Sequence, residues 1–374
     1  MLKKNKYFFP VSILLLAIVM LAAIGFGAVS IRPEEMLSSL KHFFQRKPSA
    51  NIYEGVFLEL RLPRVLLCAI TGAILAVSGV LMQGLFRNPI VEPGLTGTSA
   101  GAAFGASFIF VLGSNISPSF KSAIGPFLVP LFAFAGGLLA TYIVYALAKR
   151  EKHVSITSLL LVGMTVNAMG LSGVGFMSFI ARDPQARSIT FWGLGNFSGA
   201  SWLQVFIVGA VALIVFIISS YFSKQLNALL LGEEEANYLG VDTRKLKSTI
   251  LILNTAMVSV ATAFVGVISF VGLIVPHIIR LMMGSDNKIL IPASMIIGAL
   301  LLTLADMAAR LLLAPAEIPV GIIISVVCAP AFIFLLKKFG AAGQKGGRAG
   351  GRWRGPGARA PASARWRRPS ARSV

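Results

Sequence analysis

Charge is scarce in this chain, and acidic charge is scarcer still. Asp and Glu number 14 against 34 Lys and Arg, and charged residues make up only 13% of the 374 positions. Cysteine is nearly absent: Cys68 and Cys328 both fall inside apolar runs. That excludes a disulfide framework and leaves two small, inert hydrophobes. Three histidines are present (His42, His153 and His277), with no HExxH and no CxxC, so no metal site is expected. The chain lacks GxxxxGK[ST] and therefore carries no ATP-binding P-loop of its own. It also lacks GxSxG and any GxGxxG placed between a strand and a helix, so no catalytic site and no bound cofactor are expected.

Apolar residues fill the space that charge leaves. They make up 56% of the sequence, with a mean hydropathy of +0.81. A soluble domain of this length cannot keep that much apolar surface dry. Long apolar runs cover residues 8–30, 65–86, 95–113, 123–148, 154–180, 203–222, 248–283, 289–313 and 318–336. Most match the ~20 residues needed to cross a ~30 Å hydrocarbon core. The run 248–283 is too long for one crossing, since its helix would reach about 54 Å at ~1.5 Å per residue. Gly266, Gly272 and Pro276 are its expected break points. The reading is an all-α integral membrane protein with ten transmembrane helices, residues 1–339. The first run exceeds the core of a secretory signal and is expected to be retained.

With both termini in the cytoplasm, the basic residues show only a weak bias to the inside. The outer segment 31–64 weakens it, because it carries Arg32, Lys41, Arg46, Lys47, Arg61 and Arg64. An acidic docking partner outside the cell would explain basic residues kept there. Residues 340–374 break with the rest: Gly, Ala, Pro and Arg, one Lys and no acid. This tail is expected to be disordered, and its composition favours an unrelated extension over a lipid-binding or nucleic-acid-binding segment. No nucleic-acid partner is expected.

Ionisable residues inside the spans would mark a proton- or sodium-coupled carrier. Asp306 is the one reasonable candidate, and Arg310 stands one helical turn away, so a local ion pair is expected. Glu317 lies near the same edge. Deep polar side chains are otherwise neutral: Gln83, Thr165, Asn167, Asn254 and Thr255. Asn167 suits an interhelical hydrogen bond or, less readily, a pore-facing position. A transporter without coupling carboxylates takes its energy from a separate ATPase. Glycines at helical spacing (Gly72 and Gly79; Gly97, Gly101 and Gly105; Gly163 and Gly170) fit close helix packing.

Two interruptions stand apart. The outer segment 181–201 mixes charge, aromatics and glycine. In the inner segment 223–247, leucines precede Gly232, and Glu233, Glu234 and Glu235 open a second short helix closed by Gly240. Three glutamates would be repelled by lipid headgroups, so this pair of helices is read as a surface for another protein.

The RLPR start, the stretch RNPIVEPGLTGTSAGAAFGA, the loop LGEEEANYLGVDTRKLK and the block beginning FVGLIVPHIIRLMMGSDNKI resemble the FecCD/BtuC-like permeases. The resemblance runs through about residues 8–338 and excludes the tail. It implies the membrane subunit of an importer for iron–siderophore complexes, haem or vitamin B12. That subunit is a homodimer in the cytoplasmic membrane, driven by two ATP-binding subunits and served by an extracytoplasmic binding protein. It further implies that Arg61, Arg64 and Arg310 dock the binding protein. The loop from Gly232 would then meet the ATPase, with Glu233, Glu234, Tyr238, Leu239 and Gly240 as contacts. Asn167 and Arg187 are candidates for the substrate path, Arg187 either attracting an anionic chelate or serving the loop. Asn196 and Phe197 depart from the pattern of haem-type members, and a cobalamin permease stays open. An ion-coupled secondary transporter is the competing class.

Overall fold

The computed structural model describes residues 2–27, 34–36, 38–39, 52–113, 118–150 and 153–349. His42 and the tail beyond Ala349 lie outside them. The chain forms two compact units, Met1–Ala329 and Pro330–Val374.

The first unit is helical almost throughout. Its elements are α1 (Leu2–Gly25), α2 (Ile52–Gly55), a π-helical turn Val56–Arg61 and α3 (Leu62–Leu85). A 3₁₀ turn, Pro93–Thr96, leads into α4 (Thr98–Leu112), followed by α5 (Pro118–Ala148). A two-residue hairpin of β1 (Lys149–Arg150) and β2 (His153–Val154) turns into α6 (Ile156–Ile180). Then come α7 (Asp183–Gly193), α8 (Trp202–Tyr221), α9 (Ser223–Leu231), α10 (Glu233–Tyr238) and α11 (Thr243–Val265). The series closes with α12 (Val271–Met283), α13 (Asn287–Leu311) and α14 (Val320–Ala349), which belongs to the second unit from Pro330 onward. Among the described residues, seven helical segments are long and apolar enough to span a membrane, and three shorter apolar helices complete the set of ten.

Several boundaries differ from those read off the sequence. Residues 52–61, expected as part of an outer segment, are helical and continuous with α3. Segment 181–201 contains the helix α7, opened by Asp183 and Pro184 in its first turn, where an acid and a proline are both favoured. The helix at 320 continues to Ala349, past the expected boundary at 339.

The long run 248–283 does break, but only once. Gly266 adopts φ +78 and ends α11. Helix α12 then runs unbroken through Gly272 and Pro276. Proline inside a helix frees the carbonyl four residues earlier. Here that carbonyl is Gly272 O, which lies 3.4 Å from the amide Nε2 of Gln83 on α3, and Leu273 O takes the same amide at 3.1 Å. A neighbouring helix thus satisfies what Pro276 leaves open, which is what lets prolines persist in membrane helices.

Helices α3, α11, α12 and α13 form the buried centre. Their approach is set by glycine. A Cβ on Gly79 would sit 1.8 Å from Gly272 O, and one on Gly72 would sit 2.2 Å from Gly298 O. No side chain fits at either crossing, so the backbones touch. Helix α4 meets α5 the same way, with Gly101 against Gly136.

Candidate functional site

Three places gather polar chemistry. The first lies where α3 begins and α13 ends. The Arg64 guanidinium donates from Nε (3.1 Å) and Nη2 (2.9 Å) to Asp306 Oδ1, and from Nη1 to both Glu317 oxygens at 2.9 and 3.0 Å. Arg310 Nε donates to Asp306 Oδ2 at 3.0 Å, the i,i+4 pair expected from sequence. The remaining donors reach the end of α1. Arg310 Nη2 bonds Ala23 O at 2.9 Å, and Arg61 Nη1 bonds Ile24 O and Gly25 O at 2.7 and 3.0 Å. The last carbonyls of a helix have no intrahelical partner, and two guanidiniums supply them here. Asp306 is 1% exposed and Arg61, Arg64 and Arg310 are 7–9% exposed.

The sequence assigned these arginines to the outer end, to dock a binding protein; the structure buries all three and engages donors of each within the chain. Their partners are up to 287 residues away, so no local pattern announces the burial.

The second place lies deeper in the body, where residues 91–97, which include the 3₁₀ turn, and residues 266–270, which lead to α12, are buried or half-buried, the setting in which irregular backbone is tolerated at membrane depth. Residues 87–90, just before the first of these segments, are exposed. Glu92 Oε1 accepts the backbone N–H of Phe270 at 3.0 Å, and Phe270 holds φ +68, rare for a residue with a side chain. Asn254 on α11 accepts from the Ser78 hydroxyl of α3 and donates to Pro93 O and Thr96 Oγ1, each at 3.4 Å. Thr96 and Thr98 pair at 2.9 Å, and Thr98 reaches Thr141 of α5 at 2.7 Å. Arg280 donates to Gln83 Oε1 at 3.0 Å. Sequence reasoning noticed Asn254 and Gln83 but not Glu92 or Arg280. Glu92 stands in the polar turn RNPIVEP, and nothing local in that turn marks it as an inward residue.

The third place is the loop after α8. Helices α9 and α10 meet at Gly232, whose φ of +146 suits glycine. The first unit anchors the loop from both sides. Asn227 donates to Asp286 Oδ1 at 2.7 Å and accepts from Asn287. Thr243 donates to Asn237 Oδ1 at 3.0 Å, and Lys247 Nζ lies 2.5 Å from Glu233 Oε2. Asp242 caps α11 by accepting from Lys245 N. Those backbone and side-chain N–H groups of Lys245 hold its carboxyl below the usual range. Asp286 caps α13, and Asn227, followed by the Lys288 N–H, lowers its carboxyl likewise.

Glu234, Glu235, Tyr238, Leu239 and Gly240 are left exposed, Tyr238 at 90%. Glu233, Glu234 and Glu235 border a depression of about 850 Å³ shared with Arg87, Asp242 and Arg244. Of the expected contacts, Gly232 is buried, and Glu233 is half-buried with its carboxylate on Lys247. Asn167 is half-buried on α6, and Arg187 is exposed on α7. Among the described residues, no hydrogen bond brings either to the other sites.

A helical body of membrane length, with polar chemistry confined to its ends and to one central joint, is that of a multi-pass transport protein. The chain belongs to the FecCD transport family, whose model matches residues 15–338. Members of this family are permease subunits of ATP-binding-cassette importers, not enzymes. The chain is 38% identical to the hemin transport system permease protein HmuU of Yersinia pestis over 327 residues, 87% of this chain and 93% of the relative. It is 35% identical to the iron(3+)-hydroxamate import permease FhuG of Bacillus subtilis, covering 88% and 96%. It is 37% identical to the cobalamin import permease BtuC of Halobacterium salinarum, covering 74% and 72%. A solved metal-chelate type ABC transporter in an inward-facing conformation superposes with a TM-score of 0.77 at 30% identity, over 89% of this chain and 99% of that one.

Proposed function

We propose that this chain is the permease of an importer that carries an iron complex, haem or a ferric siderophore, across the cytoplasmic membrane. In this reading two copies form the path, the α9–α10 loop receives a cytoplasmic ATPase, and a binding protein delivers cargo to the opposite end. The supporting observation is the loop itself. An exposed tyrosine and leucine beside glutamates, on short helices tied to the body, suit a protein contact better than water or lipid.

Asp306 argues against the ion-coupled alternative. Two guanidiniums hold it, and both of its oxygens are committed to them. Helix α6, carrying exposed Thr165 and half-buried Asn167, is the proposed path-lining face that a second copy would cover. Arg187 stands near its end as a candidate for attracting an anionic cargo. At the arginine end, three guanidiniums gather with the carboxylates of Asp306 and Glu317 and set the local field. We propose that this field draws an acidic face of the binding protein, the arginines acting through charge and support of α1 while their donors stay engaged. Binding of that protein should then weaken steeply with salt. Cargo is tested by ATP-dependent uptake of haem, ferric hydroxamate and cobalamin by the reconstituted complex. Uptake of cobalamin alone would replace the iron-complex reading.

A further inference from the structure

Lys247 is buried behind the proposed ATPase surface, and Glu233, which lines the depression there, reaches back to it. Lys247 is 5% exposed, one turn into α11, between the buried Leu246 and Ile250. Its ammonium lies 2.5 Å from the Glu233 carboxylate, the first residue of α10. A buried ammonium is costly unless it is paired and hydrogen-bonded, so this contact ties the start of α10 to the shaft of α11. The Thr243–Asn237 hydrogen bond makes a second tie near the other end of α10. On its other side α10 is joined to α9 through Gly232, a hinge at φ +146.

From Lys247 the helix α11 runs without interruption to Asn254, about 10 Å away at ~1.5 Å per residue. Asn254 is fully buried and bonds Ser78 of α3 together with Pro93 O and Thr96 of the inserted segment. One rigid element therefore connects the loop helix to the central joint. We propose that the Glu233–Lys247 pair is the positioning link through which movement of α10 is passed to α11 and on to the Asn254 joint. Glu233 serves this link from the edge of the depression at that surface. The inference rests on the proposed ATPase contact at this loop.

The test uses the full complex of this chain, its ATPase and its binding protein in proteoliposomes, reading cargo taken up per ATP hydrolysed. Lys247→Met lowers that ratio on the order of fivefold or more, while the ATPase subunit still co-purifies in equal proportion. Lys247→Arg, which keeps the charge, retains most of the ratio. Glu233→Lys alone is impaired, and combining it with Lys247→Glu restores most of the coupling. A wild-type ratio in Lys247→Met, or a charge swap no better than its single variants, overturns the link. If Lys247→Met does not survive purification, the swap and Lys247→Arg decide the matter. If the wild-type complex shows no ATP-driven uptake, the proposed function fails and the link fails with it.

Discussion

Replacing Asp306 with Asn removes one negative charge from a place where two guanidiniums depend on it. Arg64 and Arg310 place three donors on its oxygens at 2.9–3.1 Å, and the carboxylate is 1% exposed. The amide keeps the shape but offers one acceptor oxygen, and it brings N–H groups toward cations. Arg64 retains Glu317, and Arg310 retains Ala23 O, so neither guanidinium is stranded. Breaking a buried pair by removing one partner costs about 3–5 kcal/mol, and the surviving contacts place the expected loss toward the lower figure. Replacing Asp306 and Arg310 together by apolar residues of similar volume should cost less than the sum of the single changes. The assay is denaturant or thermal unfolding of the detergent-solubilised chain, with double-mutant analysis. A loss for Asp306→Asn within about 0.5 kcal/mol, the range of an ordinary surface change, refutes the clamp. If the variant stayed folded and lost transport while still stimulating the ATPase, Asp306 would instead be a coupling carboxylate.

Arg61→Gln strips a charged donor from the Ile24 and Gly25 carbonyls and should destabilise by about 2 kcal/mol; hydrogen exchange should rise at residues 22–27 and stay unchanged in α11. Gly79→Ala forces a methyl group into the Gly272 carbonyl, and the overpacking should cost about 1–3 kcal/mol or more in unfolding measurements. The Asp286 carboxyl is lowered by Asn227 and Lys288, so its contribution is present above the unfolded value of about 4 and is lost as pH falls through the lower folded value. Melting temperature should therefore be insensitive to this group between about pH 5 and 8 and drop below about pH 4. Asp286→Asn should flatten part of that acid loss.

The membrane-spanning character was legible from composition, because a long apolar run has few alternatives to a buried helix. So was the pair of short helices after α8, where Gly232 and the three glutamates mark the end of one and the start of the next. What escaped was set by distant partners. Pro276 reads as a break until Gln83, on another helix, accepts the burden of its freed carbonyl. That Arg61, Arg64 and Arg310 are buried could not be read locally, because Glu317 and the end of α1, which fold onto them, are distant in sequence. The inward turn of Glu233 likewise depends on Lys247, fourteen residues on and one turn into the next helix.

The central claim is that this body moves cargo on energy supplied by a separate ATPase. Its most direct test is uptake of haem or a ferric siderophore into proteoliposomes holding this chain, its ATPase and its binding protein. The account predicts uptake that requires ATP hydrolysis and the binding protein and is indifferent to a proton gradient. Uptake by this chain alone, driven by a proton gradient without ATP, would contradict it.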